Sequence, residues 1–397
     1  MFAAILKNTV TVLPNSAASE HIASVASQHP GLRVLGDGAS QSLLDLPFVD
    51  VDNLLREALH QGLHDAPLSM RVMPLIAFDQ IIARVYTSGS TGTPKVHTKT
   101  FGRVHLNILA SAQRFWPVTG GACSVIGTTP IRHMYGLESS VLLPIFGGGR
   151  FGSEIPFFPA DVARCLEQMP APRLLISTPY HLRKLIESDT PLPPVAAVVS
   201  ATAPLTQELA LLITEKLQCP LLEIYGATET GQLATRQPVQ DQTWETLAGV
   251  ELKTDGEEVW AHGAVYESPQ LLNDIVKLIS PSHFVLIDRK ANIINVAGKR
   301  NTLSCLNTAI TQLPGVVDAL FFMPPSSGRG DVERPAAFVV APGIAAADLL
   351  AALRAKIDPV FLPRPLIFVD ALPRDGNGKL LATTLQDLIK RHLPGLI

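Results

Sequence analysis

Between residues 122 and 230 short apolar runs alternate with amphipathic segments, and this alternation constrains the fold more than any other feature of the chain. CSVIGTT, RLLIS, VAAVVS and LLEIY have the length and the Val, Ile and Leu content of strands buried on both faces. Helical patterns lie between them. Thr178-Pro179 is a cap and first-turn pair that opens YHLRKLIES, and Pro204 opens the long run QELALLITEKL. Such repetition predicts an α/β fold, with mostly parallel sheets covered by helices.

After about residue 285 the texture changes. ALFFMPPSSGRGDVERPAAFVVAP reads as two strands around a loop, followed by a helix near 344–357, a strand PLIFV and a helix near 380–392. That is a compact α+β unit. A chain of 397 residues suits one large and one small domain, and we place them at 1–288 and 289–397. With 47% hydrophobic and 17% charged residues the chain is globular rather than disordered.

A formal net charge of −3 supplies no basic field to gather a polynucleotide or an anionic membrane surface, so nucleic acid is not an expected partner. The first apolar run stops at Lys7 and no uninterrupted one is long enough to span a bilayer, which predicts a soluble protein without membrane insertion. Cys123, Cys165, Cys219 and Cys305 stand far apart, a pattern of neither a zinc site nor a disulfide framework, and one that fits a reducing cytoplasm.

Three polar segments follow apolar strands: YTSGSTG after IIARV, SATAP after VAAVV and GATET after LLEIY. In open α/β sheets, ligands bind where loops converge at the carboxyl ends of strands, so the three are expected to form one site. YTSGSTGTPKV is suited to an anion, because glycines let backbone amides approach phosphate oxygens while hydroxyls and Lys95 add donors and charge. It is not a Walker loop: Pro94 stands five after Gly89, and Val96 follows Lys95. A G-x-G-x-x-G at Gly147–Gly152 precedes no helix and reads as a tight turn.

YTSGSTGTPK resembles the phosphate-binding loop of the adenylate-forming superfamily, and further motifs of that family follow in order. The resemblance implies that Thr87, Ser88, Gly89, Ser90, Thr91, Gly92 and Lys95 hold ATP phosphates. EIYGATET is similar to the family's Y-G-x-T-E motif, which implies Tyr225 and Gly226 beside the nucleotide, Thr228 at the α-phosphate and Glu229 as the Mg2+ ligand. SATAPL resembles the segment lining the adenine pocket, so Ser200, Ala201 and Thr202 are expected there. Asp274 lies fifteen residues before Arg289, the family's spacing between its ribose-binding aspartate and its hinge arginine. Arg289 and Arg300 would contact phosphates. The wording departs from the family, with Asn273 and Asp288 in place of glycines and Ala291-Asn292 in place of an aspartate pair at the hinge. PRDGNGK resembles the C-terminal motif that carries the catalytic lysine, here Lys379, whose ammonium would stabilise charge as a carboxylate attacks the α-phosphorus.

RHMYGLE resembles the motif between acyl pocket and pantetheine channel, which implies His133, Tyr135 and Ala227 at the substrate. Members with full-length N-terminal regions carry much more chain ahead of the phosphate loop than precedes Tyr86 here, so a shortened N-terminal region and a small aromatic acid are expected. The compact length and HMYGLESS most resemble the AMP-ligases of xanthomonadin and aryl-polyene pigment clusters. That resemblance implies activation of 4-hydroxybenzoate with ATP and Mg2+, then transfer to the thiol of an acyl carrier protein or coenzyme A. A 3-hydroxyacyl or medium-chain acyl ligase, and a non-catalytic adenylate-binding protein, remain the alternatives.

Overall fold

The computed structural model describes residues 1–14, 19–36, 46–60, 74–87, 95–289, 292–296, 299–324, 334–374, 380 and 382–393. Its centre is a nine-stranded sheet in the order 274–280, 283–289, 244–246, 231–236, 221–227, 197–200, 173–177, 124–127 and 150–151. From 150–151 to 221–227 all neighbours are parallel; from there to 274–280 all are antiparallel. The expected parallel arrangement therefore covers one half of the sheet. It changes at Ala227 because only Thr228–Thr230 separates the strands Leu221–Ala227 and Gly231–Arg236, and so short a connection joins only antiparallel neighbours.

The parallel half is buried on both faces. Ser124–Gly127 and Ala197–Ser200 are buried at every position, the consequence of helix crossovers on both sides. Thr178 caps the helix Pro179–Glu187 by accepting the His181 amide at 3.3 Å. The next helix starts later than Pro204: Thr206 accepts the Leu209 amide at 3.3 Å and caps Gln207–Leu217, since a hydroxyl satisfies a first-turn amide that a preceding proline leaves open. The G-x-G-x-x-G segment is a turn, with Gly148 left-handed at φ 84° ending the helix Leu143–Gly147 before the short strand Arg150–Phe151.

A second sheet carries the phosphate-loop hairpin. Strand Ile81–Thr87 pairs parallel with Thr11–Leu13 and antiparallel with Lys95–Thr100, in a register that sets Thr87 opposite Lys95. The helix Phe101–Thr119 follows directly; Val104, Ile108, Phe115 and other apolar side chains on its inner face join the main core.

Two hydrophobic cores lie within residues 294–393, one built on Phe321, Val339 and Leu353, the other on Phe338, Leu388 and Ile389. The cores of the larger unit use no side chain beyond Leu286. In the smaller unit strands Asp318–Phe322, Ala336–Val340 and Leu366–Phe368 form a sheet, joined by helices Ala346–Arg354 and Ala382–His392. This matches the α+β pattern of the sequence. Among the described residues no helix is long and apolar enough to cross a membrane, and the four cysteines are free.

Candidate active site

Gly226 and Ala227 end a central strand, and the turn after them brings Thr228 and Glu229 to the sheet edge. Gly226 is required there: a Cβ would meet the Gly231 carbonyl oxygen at 2.2 Å. Thr230 fixes the turn, its hydroxyl accepting the Ala227 amide at 2.9 Å and donating to the Gly231 carbonyl at 3.0 Å. Tyr225 donates its hydroxyl to Asp274 Oδ2 at 2.5 Å, and Asn273 Nδ2 donates to Glu229 Oε1 at 3.3 Å. Four residues picked from two distant motifs thus meet beside one turn, and Asn273, a departure from the family wording, touches the carboxylate expected to hold the metal.

The fifteen-residue spacing has a geometric basis: Asp274 and Arg289 are Cα partners across the antiparallel strands 274–280 and 283–289. Arg300 lies apart, opposite Asn295 in the hairpin of Ile293–Val296 and Lys299–Thr302. Residues 88–92 of the phosphate loop, Ala291 at the hinge and Lys379 lie outside the described residues. Arg374, the last described residue before Lys379, grips Asp318 through its guanidinium with two hydrogen bonds of 2.8 Å. Asp288, beside the expected hinge, accepts hydrogen bonds from Asn292 and from the Thr302 hydroxyl, so two of the departures from the family motif, Asp288 and Asn292, meet in one network.

At the adenine-pocket segment Ser200 and Ala201 are buried. Thr202 adopts φ 81°, a left-handed conformation unusual for a β-branched residue and of the kind found at ligand sites. The hydroxyls of both Ser200 and Thr202 are buried without a hydrogen-bond partner among the described residues. His133 is half-buried just before the short helix Met134–Gly136, and Ala227 is exposed at its strand end. Tyr135 corrects the substrate expectation in part. Its hydroxyl donates toward the carbonyls of Ser177 (2.9 Å) and Val199 (3.1 Å), tying two strand ends together, and burial pushes its pKa far up. Only the ring is left for a ligand. Met134 is a core residue.

The motifs missed a further set. Strand Lys95–Thr100 alternates, so Lys95, His97 and Lys99 fall on one face. His97 accepts or donates at 3.1 Å with the Thr87 hydroxyl; burial lowers its pKa, opposed by the charge of Glu229 and reinforced by Lys99 and Lys95. Lys99 donates to the carbonyl of Thr228 and, at 3.4 Å, to that of Glu229. Behind it a π-helix, Leu137–Leu142, turns Glu138 into the interior, a helix distortion frequent at functional sites. Burial pushes the Glu138 carboxyl up to about 7, with Lys99 pulling the other way. The signal in the sequence was the K-x-H-x-K alternation and the one charge in LESSVLLPIF.

Among the described residues no cluster of three or more His, Cys, Asp or Glu side chains could hold a metal by itself. One carboxylate, Glu229, is what a magnesium ion carried by nucleotide phosphates asks of a protein, so the residues fit that role.

Residues 11–257 match the AMP-binding enzymes, and residues 306–379 match the AMP-binding enzyme C-terminal domain. The chain belongs to the AMP-binding enzyme family. This AMP-binding enzyme is 31% identical over 300 residues to a 4-coumarate–CoA ligase of Rhodobacter capsulatus, covering 74% of this chain and 73% of the relative. A 4-chlorobenzoate–CoA ligase of an Arthrobacter species is 22% identical over 400 residues, covering 91% and 76%. In fold it resembles the o-succinylbenzoate CoA synthetase of Bacillus subtilis solved with ATP and magnesium ion, with TM-score 0.78, 20% identity and coverage of 97% and 86%. ATP-bound MatB of Rhodopseudomonas palustris superposes with TM-score 0.77 at 18% identity, covering 94% and 82%.

Proposed function

We propose that this AMP-binding enzyme is an acid–thiol ligase. It couples ATP, with Mg2+, to a small aromatic carboxylic acid, releases pyrophosphate and passes the acyl group from AMP to a pantetheine thiol. The observation that carries the reading is the meeting of Tyr225, Thr228, Glu229, Asn273 and Asp274 at one strand-end turn, with Lys95 on the adjoining hairpin. Relatives named for coumarate, chlorobenzoate and succinylbenzoate support an aromatic acid.

Each residue then has a task. Asp274, oriented by Tyr225, accepts the ribose hydroxyls. Thr228, Lys95 and the 87–92 segment donate to phosphate oxygens, and the Ser200 and Thr202 hydroxyls face the base. Glu229 would hold a magnesium ion, which would supply positive charge against that of the phosphates. Lys379 stabilises the same charge from the small domain, which we take to begin at residue 289, the break between the two sets of cores. Arg289 and Arg300 are assigned to phosphates, His133 and the Tyr135 ring to the acid. Within this class we favour 4-hydroxybenzoate, an acyl carrier protein or coenzyme A as acceptor, a cytoplasmic reaction and a role in pigment or aryl-polyene synthesis.

ATP–pyrophosphate exchange across a panel of aromatic and aliphatic acids, with mass spectrometry of the acyl-AMP formed, tests the reading. Exchange with 4-hydroxybenzoate is expected. Exchange only with 3-hydroxyacyl or medium-chain acids would replace the substrate, and folded protein that exchanges with none would be a nucleotide-binding protein without ligase activity.

A further inference from the structure

Beneath the turn that carries Thr228 and Glu229 lies a buried arrangement that the phosphate, ribose and metal contacts do not use. Lys99 reaches it from the hairpin strand and donates to both carbonyls of the turn. Asn107, on the helix that follows, donates its amide to the Gln232 carbonyl at 2.7 Å just past the turn. Ser111 donates to Gln232 Oε1 at 2.8 Å, and Gln232 Nε2 in turn donates to Ser139 of the π-helix at 3.0 Å.

Gly231 is the close point of this arrangement. It is left-handed at φ 65°, and a Cβ there would sit 3.0 Å from Glu138 Oε1 and 3.2 Å from Asn107 Oδ1. A side chain at 231 would press on the carboxylate, which would have to give by a few tenths of an ångström. Glu138, with 3% of its surface exposed, lies close enough for its charge to act on Lys99.

We infer that Lys99 is a positioning residue for the nucleotide site: braced by Glu138, its ammonium holds the two turn carbonyls so that Thr228 and Glu229 face the phosphates. The inference rests on the assignment of Thr228 and Glu229 to the nucleotide. Two donated bonds from one cation to successive carbonyls fix the orientation of the peptide unit between them, which sets where both side chains leave the backbone. A buried cation is tolerated where it is paired and its hydrogens are used.

The test compares Lys99→Met, Glu229→Gln and the double variant Lys99→Met with Glu138→Gln, reading ATP affinity by calorimetry at fixed Mg2+ and thermal stability in the same samples. Lys99→Met is expected to weaken ATP binding by about tenfold or more, the effect of losing a charge-assisted hydrogen bond, and, well above pH 7, where the Glu138 carboxyl is ionised, to lower the melting temperature because Glu138 is left without its counter-charge. In the double variant no unpaired charge remains inside, so the melting temperature should return toward that of the unaltered protein while ATP affinity stays low. That split is the signature of positioning. Wild-type affinity in Lys99→Met, or affinity returning together with stability in the double variant, would overturn the inference and leave Lys99 as a structural counter-ion. Glu229→Gln separates the two possible failures. If it binds Mg2+ and ATP unchanged, the turn is not the nucleotide site and the inference falls with that assignment; if it loses affinity while Lys99→Met does not, only the positioning role is refuted.

Discussion

Tyr225 donates its hydroxyl to Asp274 Oδ2 across the gap between the fifth parallel strand of the central sheet and the sheet's outermost antiparallel strand. Two residues forty-nine apart in sequence are thereby fixed at one point.

This relationship makes the two side chains separable by measurement. Tyr225→Phe removes only the orienting hydrogen bond and should weaken ATP binding by up to about tenfold, whereas Asp274→Ala removes the acceptor itself and should weaken it further. Titration calorimetry of both variants decides. Equal affinities in Asp274→Ala and the unaltered protein would remove Asp274 from the ribose.

Lys379 should act in one half of the reaction. Lys379→Ala is expected to abolish pyrophosphate exchange, while transfer of the acyl group from added acyl-AMP to a thiol persists, because that step breaks no bond at which the lysine balances charge. Equal loss of both steps would refute its role in adenylation.

The strand carrying the turn is held by a buried ion pair. Arg236 donates from Nε to Glu223 Oε2 at 2.7 Å, with side chains only 12% and 5% exposed, and stacks its guanidinium 4.6 Å over the ring of Trp244. Arg236→Met leaves the Glu223 carboxylate buried and unpaired, so urea unfolding should show a loss of about 3–5 kcal/mol. A loss below about 1 kcal/mol, typical of exposed pairs, would mean that the carboxylate had found water or a proton instead.

Glu138 gives stability a pH dependence of known sign. Its carboxyl titrates near 7 in the folded chain against 4.5 for an ordinary glutamate, so between those values the folded state keeps a proton that the unfolded state has released. The group's contribution to stability is therefore largest below pH 4.5 and falls as the pH rises to about 7. Glu138→Gln should remove that slope from a plot of unfolding free energy against pH. Parallel slopes in the two proteins would show Glu138 ionised throughout.

Much of this was legible in the sequence, for physical reasons that differ from part to part. The strands at 124–127, 173–177, 197–200 and 221–227 announced themselves because burial on both faces demands unbroken apolar runs. The spacing from Asp274 to Arg289 was readable because a hairpin turns a count along the chain into a register across it. The antiparallel half was not, since its outer strand is partly exposed and carries mixed residues, DIVKLIS. Lys99 and Glu138 escaped because their pairing depends on a helix distortion and on a glycine's missing side chain, neither of which leaves a local pattern. Nothing local in RHMYGLE foretold that the strand ends at Ser177 and Val199 would take up the Tyr135 hydroxyl.

The contact between Gly231 and Glu138 also links the histories of two positions that no motif connects. A methyl group at 231 would press on the acid at 138 from 3.0 Å and on Asn107 from 3.2 Å and would itself be strained at φ 65°, so a descendant could take it on only where both neighbours gave way by a few tenths of an ångström. Substitutions here are therefore coupled, and redesign of this enzyme for other acids should carry 99, 138 and 231 forward together.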